Sequence, residues 1–109
     1  MIRITANKGF QMTFENGLTI SVQIGNMSYC SRKSMYAAYN SEMQVDFVES
    51  PDAEIAIWDD KDNWLDFGSD QVKGYVSVDE ISHWITWTKV ARDLEDLAGL
   101  ANLPKTEQA

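Results

Sequence analysis

The chain has 109 residues, 44% of them hydrophobic, with a formal net charge of −8 and a pI near 4.4. A length of this order suits one domain that buries a core without disulfides or metal, and the acidity disfavours a phosphate backbone as partner, since most of the surface would repel it. Cys30 is the sole cysteine, which excludes an intrachain disulfide and a cysteine-based zinc site and fits a reducing cytoplasm.

The chain opens Met-Ile-Arg with no long apolar run behind it. A secretory leader and a membrane span, which needs roughly 20 apolar residues, are therefore not expected. Phe10, Met12 and Phe14 alternate with polar residues, and so do Leu18, Ile20, Val22 and Ile24 after the turn signal Asn16-Gly17. A two-residue turn would set these two apolar groups on opposite faces. A three-residue turn, Glu15-Asn16-Gly17, pairs Phe14 with Leu18, keeps both groups on one face and requires Gly17 in a left-handed bulge.

Residues 25 to 41 form the longest irregular stretch. Within it Tyr29, Arg32, Lys33, Tyr36 and Tyr39 combine stacking surfaces with cations, the chemistry of a small phosphate-bearing ligand. No glycine-rich phosphate loop accompanies them. Met43, Val45 and Phe47 predict a third strand, closed by Ser50-Pro51-Asp52. A second hairpin follows, in which Trp58 faces Trp64 across residues 59 to 63, with Ile57 opposite Leu65 and Ile55 opposite Phe67. One face of that hairpin is apolar and the other carries the tryptophan pair. Residues 72 to 76 predict a short edge strand.

Ser77 and Glu80 stand at capping-box spacing, so a helix starts near Val78. Ile81, Trp84, Ile85 and Thr88 give it one apolar stripe. Trp87, Val90, Leu94 and Leu97 give a second, roughly 140° around at about 100° per residue. That second stripe needs either another copy of the chain, in a homodimer through this helix, or a return of the helix after a bend near Ala91. Gly99 and Pro104 mark the end. The expected architecture is one α+β domain over residues 1 to 103, an antiparallel sheet of four to six strands in two hairpins with one C-terminal helix packed on it, and a frayed tail at 104 to 109.

Charge is concentrated rather than spread. Between Glu42 and Glu80 stand twelve acidic residues against two basic ones, Lys61 and Lys73. Glu42, Asp46, Asp59, Asp60, Asp62 and Asp66 are the candidate carriers of a docking field for a basic protein, with Trp58 or Trp64 as the anchor among them. The aspartate loop departs from a calcium-binding loop. Counted from Asp60, the sixth position is Leu65 where glycine is needed, and the twelfth is Gln71 where a glutamate belongs. Cys30 and His83 are the only residues that could make a thiol–imidazole pair, and nothing in their spacing brings them together. The reading is a non-enzymatic binder with no cofactor or metal, no direct nucleic-acid contact and no membrane contact. The alternative is a nucleotide-type ligand binder using the tyrosine-rich segment.

The run Asn7-Lys8-Gly9-Phe10-Gln11-Met12-Thr13-Phe14-Glu15-Asn16-Gly17, followed by Thr19, Ser21-Val22-Gln23, Gly25 and Tyr29-Cys30, resembles a family of small proteins of tailed bacteriophages and prophages. Ala53-Glu54-Ile55-Ala56, Trp58-Asp59, Trp64, Phe67 and Lys73-Gly74-Tyr75 extend the resemblance through most of residues 7 to 88. Residues 31 to 41 and the chain beyond Val90 depart from it. The resemblance implies a viral origin, a place in the bacterial host cytoplasm and no catalytic residues. Joined to the acidic surface, it suggests an accessory protein that binds a host defence or nucleic-acid-handling factor, as an inhibitor of the anti-CRISPR kind or a DNA mimic.

Overall fold

The structure, a computed structural model, describes residues 1 to 5, 9 to 24 and 49 to 104. Five strands form one antiparallel sheet in sequential order: β1 Ile2–Thr5, β2 Gly9–Thr13, β3 Thr19–Gln23, β4 Asp52–Trp58 and β5 Lys73–Ser77. Two helices follow, α1 Val78–Val90 and α2 Leu94–Leu100. The fold is α+β, as the patterning predicts. The expected strand at Met43, Val45 and Phe47 lies outside the described residues.

The first hairpin has the three-residue turn. Phe14 N–H donates to the Leu18 carbonyl at 2.9 Å, Gly17 N–H returns to the Phe14 carbonyl at 3.0 Å, and Gly17 has φ 88°. The register Phe10↔Val22 and Met12↔Ile20 therefore keeps every apolar side chain of the hairpin on one face. Ile55 and Ile57 join that face by pairing with Val22 and Ile20. Because side chains alternate across a strand, the other face carries Gln11, Thr13, Thr19, Ser21 and Trp58.

The helices cover the apolar face. Leu18, Ile20, Ile55, Ile57, Val76, Trp84 and Leu97 make one buried cluster, with Ile81 and Ile85 packed against it. Ser77 caps α1 by accepting from Glu80 N–H at 3.2 Å, as its spacing predicts. Trp84 donates its indole N–H to the Glu80 carboxylate at 3.0 Å, so its one polar group is satisfied at the edge of the core.

Two expectations are corrected. The single long helix is broken: Ala91, with ψ 149°, is extended, and Asp93 caps a new helix by accepting from Asp96 N–H at 2.8 Å. The break turns Leu97, fully buried, and Leu94 back onto the core of their own chain, leaving Val90 exposed and Trp87 half-buried beside Trp84. Trp87, Val90, Leu94 and Leu97 thus do not form a continuous seam, and the bend near Ala91 is the arrangement adopted. The second hairpin is one bridge long, Trp58↔Trp64, with Leu65 N–H donating to the Ile57 carbonyl at 2.8 Å. Beyond it the Asp66 carboxylate accepts from Gly68 N–H, and the chain turns away. Phe67 then meets Trp84 edge-on with ring centroids 5.2 Å apart, while Lys73 of β5 takes the place opposite Ile55. β1, which the patterning does not mark, brings the sheet to five strands, within the four to six expected, and pairs Ile2↔Met12 and Ile4↔Phe10.

Asn16 ties the two layers together. Its amide nitrogen donates to the carbonyls of Thr88 at 2.7 Å and Ala91 at 2.7 Å, with Lys89 at 3.3 Å, and its oxygen accepts from Leu18 N–H at 2.9 Å. One turn side chain thereby satisfies the end of α1 and an amide inside the hairpin.

Candidate acidic hairpin site

The loop between Trp58 and Trp64 is organised by Asp59. One carboxylate oxygen accepts from the backbone N–H of Lys61 and of Asn63, each at 2.9 Å, and the other from the Asn63 side-chain amide at 3.0 Å. Asp59 N–H donates in turn to the Asn63 carbonyl at 2.9 Å. The Asn63 amide first, and the two backbone donors with it, hold the Asp59 carboxyl below the usual carboxylate range. Asp59 therefore shapes the loop as well as adding its charge to it.

The lowered pKa of Asp59 carries a definite sign. The loop gains stability from the ionised Asp59 above the ordinary carboxylate pKa of about 3.9 and loses it as pH falls through the lowered folded value. Amide resonances of Lys61 and Asn63 should hold their positions from pH 7 to about 5 and move together on acidification below about 4. Movement above that range would contradict the bonding.

Asp60, Asp62 and Asp66 remain as exposed carboxylates around the tip, with Asp62 at φ 62°. The Asp60 carboxylate lies against Gly17, where an added Cβ would sit 3.3 Å from its oxygen, so the acidic loop packs beside the first hairpin turn. The tryptophans are stacked, with ring centroids 4.8 Å apart and planes inclined by 29°. Trp58 is half-buried on the face away from the helices, and Trp64 is 40% exposed. Trp58 thus braces an exposed indole, with Asp60, Asp62 and Asp66 all within four residues of it along the chain. The cross-strand pair is where the sequence placed it.

Glu42 and Asp46 lie outside the described residues, as do Tyr29, Arg32, Lys33, Tyr36, Tyr39 and Cys30. His83 is exposed on α1 and stacks on Trp87 at 5.7 Å. Among the described residues no group of three or more histidine, cysteine, aspartate or glutamate side chains is placed to hold a metal ion. No described helix is long and apolar enough to cross a membrane.

An open cleft of about 220 Å³ lies on the same face as Trp58, lined by Met1, Arg3, Gln11, Thr13, Thr19 and Trp58. The Thr13 and Thr19 hydroxyls meet on its floor at 2.8 Å. The turn register contained this signal, since pairing Phe14 with Leu18 also sets Thr13 opposite Thr19. Comparison of the chain with protein-family models, curated proteins and solved structures found no match.

Proposed function

We propose that this protein is a non-enzymatic binding module that captures a basic segment of another protein on the acidic hairpin tip, with the Trp64 indole as anchor and Asp60, Asp62 and Asp66 as the surrounding field. The observation that carries the reading is the stacked tryptophan pair, because an exposed, pre-braced indole loses little freedom on contact. Clustered carboxylates steer a basic partner toward it and favour correct orientation over raw affinity. The resemblance to small phage proteins supports a bacterial host factor as that partner, with defence and nucleic-acid-handling proteins the natural basic targets.

The reading is tested by affinity capture from a bacterial lysate with the native chain, an Asp60→Lys/Asp62→Lys double variant and Trp64→Ala. Asp59 is left intact because its bonds hold the loop. The double variant should retain its unfolding midpoint, Trp64→Ala should stay folded, and either should lose the captured protein at least tenfold, about 1.4 kcal/mol. The native complex should weaken as salt shortens the screening length to about 10 Å near 0.1 M. Equal capture by all three proteins would refute the proposal.

A further inference from the structure

The two edges of the sheet are finished differently. At β5, Tyr75 adopts φ 54°, the pairing with β4 shifts register between Ala53 and Ile55, and α1 begins at once from Ser77. Irregularities of this kind turn an edge away from further pairing. β1 pairs regularly with β2 along its length, and no described strand lies on its outer side.

The backbone of that outer side can be assigned. The Met1 nitrogen donates to the Thr13 carbonyl at 2.9 Å, and Thr13 N–H donates to the Met1 carbonyl at 2.8 Å, so these two residues form a hydrogen-bonded pair. Bonded and non-bonded pairs alternate in an antiparallel ladder. Arg3 is therefore bonded to Gln11, and Ile2 and Ile4 turn their N–H and C=O groups outward. The same two side chains are 66% and 69% exposed. They stand on the helix-bearing face, in rows that run through Met12 to Ile20 and through Phe10 to Val22. An added strand would gain backbone bonds and apolar contact at the same two positions. Arg3 lies between them on the opposite face. A second β1 paired antiparallel about Arg3 would set two guanidinium groups directly opposite, which is unfavourable, whereas a carboxylate there is complementary.

We propose that β1 is a strand-docking edge for an extended segment of a partner protein in which an acidic residue stands between two apolar ones, the apolar side chains opposite Ile2 and Ile4 and the carboxylate opposite Arg3. Main-chain bonds would supply affinity and the alternating side chains specificity. The edge lies three strand spacings from Trp58, about 14 Å across the sheet, so this contact is separate from the acidic tip.

The test uses the full chain and a labelled, capped seven-residue peptide with valine, glutamate, valine at its centre and threonines outside. Saturable binding with a Kd of about 1 mM or tighter is expected, with the Ile2 and Ile4 amide resonances among those that move most. N-methylation of the two valines should abolish binding. Lysine in place of the central glutamate should weaken it at least tenfold, and Arg3→Glu should reverse the preference between the two peptides. Binding that survives N-methylation, a preference unmoved by Arg3→Glu, or no saturable binding overturns the proposal. So does a dimer whose dilution releases the Ile2 and Ile4 amides, which would make a second copy the occupant.

Discussion

Replacing Asn16 by alanine should lower the stability of the fold by about 3 kcal/mol, and replacing it by aspartate should cost at least as much. Alanine removes the donor to the Thr88 and Ala91 carbonyls and the acceptor for Leu18 N–H. Thr88 and Leu18 are both buried, and a buried polar group stripped of its partner costs about 1 to 3 kcal/mol. Aspartate keeps the acceptor for Leu18 and nearly the same shape. It sets a negative charge against the carbonyl end of α1, where the helix dipole is also negative. A polarity argument alone would rank the substitutions the other way. Urea unfolding monitored by tryptophan fluorescence gives both values. An aspartate variant as stable as the native chain would show that the amide donor contributes nothing.

Asn16 also shows where sequence reading stops. Its role in the turn was legible, because loop length alone decides whether Phe14 meets Leu18 and both apolar sets share a face. Its tie to the helix was not legible, since Thr88 and Ala91 lie more than seventy residues further along the chain and no local pattern links them. The tryptophan pair was legible for the same reason as the turn: a five-residue loop leaves Trp58 opposite Trp64. Extending that ladder to Ile55 and Phe67 failed because the Asp66–Gly68 turn intervenes and Trp84 offers Phe67 an aromatic neighbour. β1 went unread because Ile2-Arg3-Ile4 is too short for alternation to separate strand from chance, and its side chains are not drawn into the core.

The aspartates of the tip divide on similar grounds. Charge counting treats Asp59, Asp60 and Asp62 alike, whereas the loop gives Asp59 three internal donors and leaves Asp60 and Asp62 exposed. A side chain that accepts from residues two and four positions onward is a turn-forming aspartate. The aspartate that opens such a loop can therefore be separated from those at its tip.

The stripe from Trp87 to Leu97 makes the second large prediction. Taken as one helix, its four apolar residues form a self-association seam of equal members. Once Asp93 restarts the helix, they become unequal: Leu97 is fully buried, Leu94 and Trp87 are half-buried against the core, and Val90 is exposed. Leu97→Ala should destabilise the chain by about 3 kcal/mol, because a fully buried leucine loses its transfer energy and leaves a cavity that the sheet cannot fill. Val90→Ala should change stability by no more than about 0.5 kcal/mol, since Val90 is 58% exposed. Asp93→Ala should fall between them at about 1 kcal/mol, through loss of the cap that aims Leu97 inward. Unfolding at two protein concentrations separates the alternatives. A broken helix folded onto its own core gives the same midpoint at both, with the leucine substitution dominant. A straight, dimer-forming helix gives a midpoint that rises with concentration and a Val90 substitution as costly as that at Leu97.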